Sequence, residues 1–171
     1  MSFLFSKKSK KNPTRLFFAT DLHGSERTFR KFINAGKFYE VNVIVMGGDI
    51  QGKLMIPIIK ESNGHHRATV QGRVEHLATE EEQKALTGKL DILGFYHKVM
   101  DEDEFSAIQS DPKSVEALFN ELAKNKLESW VSLAEERLNG TGIKCFVTGS
   151  NDDEWEVLKA LKKEDTKSFF A

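Results

Sequence analysis

Three short apolar runs, each breaking off into acidic, histidine or amide residues, constrain this chain more than any other feature. Arg15-Leu16-Phe17-Phe18-Ala19-Thr20 leads into Asp21-Leu22-His23, and Val41-Asn42-Val43-Ile44-Val45-Met46 into Gly47-Gly48-Asp49. Ile143-Lys144-Cys145-Phe146-Val147 leads through Thr148-Gly149-Ser150 into Asn151-Asp152-Asp153. Runs this short, rich in β-branched and aromatic residues, fit buried strands. Between the first two, Ser25 opens a segment with Phe29, Phe32 and Ile33 at helical spacing, and Gly36 is placed as its C-cap. Strand, helix, strand makes the two strands parallel. Trp155, Leu158 and Leu161 follow the third run at helical spacing, so the strand-loop-helix unit recurs and the fold class expected is α/β.

The stretch over about 53–140 has its own signals. Arg67 to Val74 reads as a hairpin, and Thr79 to Glu82 forms a capping-box pattern ahead of Leu86, Leu90 and Leu93, with Gly94 after them. Asp111-Pro112 is a cap with proline at the first helical position. It starts a segment through Leu118, Leu122, Trp130 and Leu138 that Gly140 stops, a helix of about 40 Å if continuous. The expected organisation is a basic leader over 1–13 and a single domain over 14–171 carrying a helical insert over about 75–140.

Charge excludes one class of partner. The 25 Lys+Arg and 26 Asp+Glu among 171 residues give a net charge of −1, without the basic footprint of a protein that holds nucleic acid by neutralising phosphates. A small nucleotide substrate is not excluded. The single Cys145 has no partner for an internal disulfide and reads as a buried strand residue, a reactive thiol being the alternative. No apolar stretch approaches the roughly 20 residues that span a bilayer. The lysines of the leader follow the short patch Phe3-Leu4-Phe5, the reverse of a secretory signal. A cytoplasmic location without membrane attachment is expected.

Each strand thus ends in residues competent to bind a metal. In open α/β sheets ligands bind outside the carboxyl ends of the strands, so three such ends converge on one site. Asp21-x-His23 offers a hard oxygen and an imidazole from one face of an extended segment, a mixture that suits Mn, Fe, Zn or Co better than Ca. Asp49, after two glycines, is placed to bridge two metals, and Asn151 adds a neutral oxygen to the second. Taken singly each has an ordinary alternative: Asp21 as a helix cap, Asp49 as a turn residue, Asn151-Asp152-Asp153 as caps for the Trp155 helix.

In this order, Asp21-x-His23, Gly48-Asp49 and Asn151-Asp152-Asp153 resemble the first three sequence blocks of the calcineurin-like metallophosphoesterases. Gly47-Gly48-Asp49-Ile50-Gln51-Gly52-Lys53 and Leu133-Ala134-Glu135-Glu136-Arg137-Leu138 also resemble a mainly prokaryotic subgroup, so the similarity covers about 14–165. The resemblance implies a β-sheet sandwich flanked by helices and two divalent metals of the Mn, Fe, Zn, Co or Ni kind, Mn favoured. Asp21 and His23 would hold the first metal, Asp49 would bridge, and Asn151 would reach the second. The implied activity is phosphomonoester or phosphodiester hydrolysis of a small phosphate ester or nucleotide by a metal-activated hydroxide.

Three departures qualify it. Ser150 replaces the usual Gly before the block-three Asn, and Asp152 replaces the usual proton-donating His, leaving Asp152 as the candidate donor only if its pKa is raised. Gly52 replaces an acidic residue. The later blocks, an isolated His and a Gly-His-x-His, are absent, and His65, His66, His76 and His97 do not supply them. The chain is therefore read as the N-terminal portion of a longer phosphoesterase, with an incomplete sheet that a second copy can cover and as few as one of the two metals retained. The alternative is a catalytically weak or inactive binding module. A metal-free Rossmann-like nucleotide binder is the weakest reading, since no G-x-G-x-x-G is present.

Overall fold

A computed structural model describes residues 13–162 and 168–170. The leader expected over 1–13 therefore lies, except for its last residue, outside the described residues. The first apolar run forms β1 (Leu16–Ala19), and Ser25 then caps α1 (Glu26–Phe38) by accepting from the Thr28 amide. Phe29, Phe32 and Ile33 are the buried face of α1, as their spacing requires. The second run forms β2 (Val43–Gly47), parallel to β1 with Phe17 opposite Ile44.

Gly36 is not the cap of α1. It sits inside the helix with helical φ, because a Cβ there would stand 2.9 Å from the Ile143 side chain; the left-handed residue that ends the turn is Glu40, at φ 53°. Close packing of helix on sheet, not termination, uses that glycine.

The middle of the chain departs most from the helical insert expected of it. It carries β3 (Met55–Lys60), β4 (His66–Val70), β5 (Arg73–Leu77), α2 (Glu80–Leu93), β6 (Tyr96–Met100), α3 (Glu102–Gln109) and α4 (Pro112–Leu138). These four strands build a second sheet in the order β5-β4-β3-β6. The hairpin lies where expected, turning through Gln71 and Gly72, both at positive φ. Its neighbours β3 and β6 were not expected. Pro57 argues against a central strand, yet β4 pairs only with Ile58 to Lys60, so no ladder bond to β4 is demanded of Pro57.

The helix signals hold. Thr79 accepts from Glu82 N while Glu82 Oε2 accepts from Thr79 N, and Gly94 ends α2 at φ 79°. Asp111 caps α4, which starts at Pro112 and runs 27 residues. α4 spans both sheets. Leu118 packs with Ile59 and Met100 of the second, whereas Leu127, Trp130, Val131, Ala134 and Leu138 join the core of the first. There Trp130 stacks on Phe29 at 4.2 Å and donates from its indole nitrogen to Glu26.

β7 (Lys144–Thr148) then pairs parallel with β2, followed by α5 (Trp155–Leu158), a 3₁₀ turn (Lys159–Leu161) and β8 (Phe169–Phe170). The last helix is a single turn without a side-chain cap, shorter than its periodicity implies. The first sheet is all parallel in the order β1-β2-β7-β8. Cys145 is fully buried in it, and burial pushes its thiol up to about 12, which settles the structural reading of that residue. On the sheet's opposite face, away from α1, Leu16, Phe18 and Phe146 stay exposed. The described residues thus form a mixed α/β fold with two sheets and five α-helices, none of them long and apolar enough to cross a membrane.

Candidate metal centre

The parallel pairing of β1, β2 and β7 sets their carboxyl ends side by side, and the loops that leave them continue to bond to one another. Asp21 N donates to Gly48 O at 3.3 Å, His23 N to Asp49 O at 2.9 Å and Gly24 N to Ile50 O at 2.8 Å. Leu22 between them is 2% exposed and anchored in the core, so Asp21 and His23 flank a fixed point. The segment is not extended, as the sequence reading had it. Asp21 and His23 take left-handed backbone at φ 59° and 45°, and Asp49 does so at 51°. Non-glycine residues there carry a cost of about 1–3 kcal/mol that the surrounding bonds must sustain, and such residues cluster at functional sites.

The result is convergence. Asp21, His23 and Asp49 each present a ligand atom, all within 4.8 Å of one another. His23 Nε2 lies 3.7 Å from Asp21 Oδ1, while His23 Nδ1 is shut away from solvent with no hydrogen-bond partner. Two carboxylates and an imidazole, with one ring nitrogen orphaned, fit a divalent cation of borderline softness. Asn151 stands on the adjoining loop after β7, and its amide nitrogen donates to Asp152 Oδ1 at 3.2 Å.

The block-three loop is held by a residue whose structural role was not foreseen. Asp153, 8% exposed, accepts from Ile50 N at 3.0 Å and Gln51 N at 2.9 Å through Oδ1, and from Ser150 N at 2.9 Å through Oδ2. It is a buried carboxylate satisfied by backbone donors, tying the loop after β2 to the loop after β7. Ser150 adds to the tie: its hydroxyl accepts from Asp49 N at 3.1 Å and donates to Asp49 Oδ1 in a short bond. Gly48, at φ 99°, lets the chains come that close, since a Cβ there would fall 2.6 Å from Ser150 Cβ.

The second sheet supports the same loops from the other side. Gly52 N donates to the Tyr96 hydroxyl at 2.8 Å, and a Cβ at Gly94 would lie 1.8 Å from the His23 carbonyl oxygen. Burial raises Tyr96 to about 12, so it remains a neutral phenol. No local signal in the sequence marks Tyr96 or Gly94 as part of this site; only the contact does.

Asp152, the candidate proton donor, is ion-paired. Lys53 Nζ sits 2.6 Å from its Oδ2, and that hydrogen bond and charge, with a smaller contribution from His23, hold the carboxyl below its ordinary value. A proton donor needs the opposite shift. Asp152 in turn raises Lys53, with Asp49 and Asp153 adding to the same field. The acidic run Asp101 to Glu104 is an ordinary helix start, Asp101 capping α3. Of the remaining histidines, His97 faces Asp91 at 3.7 Å in the second sheet's surroundings. No family model, curated protein or solved structure matches this chain.

Proposed function

We propose that this chain binds a divalent cation and acts as a phosphoesterase that hydrolyses a phosphomonoester or phosphodiester of a small molecule or nucleotide. The observation that carries this reading is the convergence of Asp21, His23 and Asp49 at the ends of adjacent parallel strands. Those three would hold a divalent cation, manganese favoured, with the Asn151 oxygen as a neighbouring donor. The cation would supply the charge that draws a phosphate oxygen in and makes water a better nucleophile near neutral pH.

The chain's own groups do the rest. Asp153 and Ser150 fix the Asp49 loop, and the left-handed turns at Asp21 and His23 aim their side chains at one point. In its pair with Lys53, Asp152 is ionised in the free site and is not a ready proton donor to the leaving group. Water attacks phosphorus as the bond to the leaving oxygen breaks, and that oxygen departs with its electron pair. Aryl esters, whose phenolates leave readily, should therefore react faster than alkyl ones.

The all-parallel sheet is taken as one layer of a metallophosphoesterase-like sandwich. The exposed Leu16 and Phe18 support this, being apolar side chains on a face of the kind a second layer or a second copy of the chain covers. The same missing donor favours the second reading, a catalytically weak binding module on this scaffold. Hydrolysis of p-nitrophenyl phosphate and its bis-ester with added Mn²⁺ decides between them. Activity lost in Asp49→Ala supports the enzyme, activity that persists in that variant overturns the site, and metal binding without turnover supports the module.

A further inference from the structure

The pairing of Lys53 with Asp152 raises the question of why a cation stands beside a site that is itself built to attract cations. Lys53 lies four positions after Asp49 on a loop clamped by Asp153 and by Tyr96, so its stem starts from a fixed point beside the three ligands. Its ammonium reaches across to the loop after β7.

The oxygens around it are already committed. Asp49 Oδ1 accepts the Ser150 hydroxyl, so a second ion would have to share Oδ2 with the first or compete with the serine for Oδ1. Asp152 is shared between Lys53 and the Asn151 amide. Among the described residues, a second ion would find Asn151 and a share of Asp49, fewer than the three protein ligands that catalytic metal sites ordinarily employ. Lys53 and Asp152 are 56% and 43% exposed, and ion pairs that exposed contribute little to stability. An incoming oxyanion can therefore take Asp152's place on the ammonium at little cost.

We infer that the site is mononuclear and that the Lys53 ammonium serves as its second cation, binding a non-bridging phosphate oxygen while the Asp21–His23–Asp49 metal binds another. Lysine suits this role as a compact point charge with three donors on a flexible stem. The inference rests on the phosphoesterase reading given above and specifies how the phosphate is held. Ser150 and Lys53 act together in it: the serine engages one oxygen of Asp49, and the lysine provides the positive charge that a second ion would have brought.

The test is calorimetric and needs no turnover. Mn²⁺ is titrated into wild-type, Lys53→Met and Lys53→Arg proteins, and inorganic phosphate is then titrated into each manganese-loaded sample. The expected result is one Mn²⁺ per chain in all three, with phosphate affinity about tenfold or more weaker in Lys53→Met and within a few fold of wild type in Lys53→Arg. Because Lys53 is mostly exposed, the methionine variant should fold, and an unchanged thermal midpoint establishes that it has. Two tight Mn²⁺ per wild-type chain, or equal phosphate affinity in wild type and Lys53→Met, would overturn the role of Lys53 while leaving the metal site standing. No Mn²⁺ binding in the wild type would overturn both.

Discussion

Replacing Asp153 with alanine removes the buried carboxylate that ties the loops after β2 and β7 together. Three backbone donors, at Ile50, Gln51 and Ser150, then lose their acceptor, the first two of them in buried surroundings. A buried donor left unpaired costs about 1–3 kcal/mol. Bonds in one network do not add fully, so the expected loss is about 3–5 kcal/mol rather than the simple sum. For a domain of 150–250 residues each kcal/mol lowers the midpoint by roughly 2–4 °C, which places the variant roughly 6–20 °C below wild type. Differential scanning calorimetry measures this directly. Asp153→Asn should fall between the two, since its amide keeps one acceptor for Ile50 and Gln51 but turns an NH₂ toward Ser150 N–H. Manganese affinity should fall with the midpoint, because Asp49 sits at the start of the released loop. An Asp153→Ala midpoint within 2 °C of wild type would refute the claim that this carboxylate holds the site together.

Gly94→Ala should destabilise through its left-handed backbone alone by about 1–3 kcal/mol, with the clash against the His23 carbonyl in addition. A melting curve and a manganese titration that both match wild type would exclude the contact. Asp91 is held down to about 2 by His97 at 3.7 Å, an ion-pair separation, and by the Lys126 ammonium at 2.7 Å. A carboxylate depressed in the folded state contributes stability that is complete above its unfolded pKa near 3.8 and is lost as pH falls through 2. Urea midpoints measured between pH 5 and 2 should therefore fall more steeply for wild type than for Asp91→Asn, and parallel slopes would count against the pairing. Cys145 should resist thiol reagents in the folded protein and react promptly in urea, its burial and raised pKa both opposing the thiolate; rapid labelling of native protein would contradict its place in the core.

Much of the fold could be read locally. The runs at 15–20, 41–46 and 143–147 became β1, β2 and β7 within a residue or two, because apolar β-branched and aromatic segments bury in only a few ways. Caps were equally legible: Ser25, the Thr79–Glu82 box and Asp111-Pro112 all act where they stand, since a cap bonds within its own first turn. So were Asp21, His23 and Asp49, whose positions at strand ends made their meeting follow from parallel order.

What the tertiary structure decided is everything that joins distant segments. β3 and β6 escaped notice because Pro57 and the polar His97-Lys98 pair hide strands that burial between helices enforces. Gly36, expected as a cap, marks instead where α1 touches Ile143, and Gly94, besides ending α2 as expected, lies where the second sheet meets the His23 loop. The electrostatics of the centre depend on Lys53 meeting Asp152 across 99 positions and on Asp153 reaching Ile50 across 103. By itself the sequence determined which groups could bind a cation, because ligand chemistry resides in residue type and in the end of the strand that carries it. Which of their oxygens stay free, and which carboxylate is neutralised by a lysine, are set by packing, because a side chain's partner is chosen by distance in the folded chain and not along it.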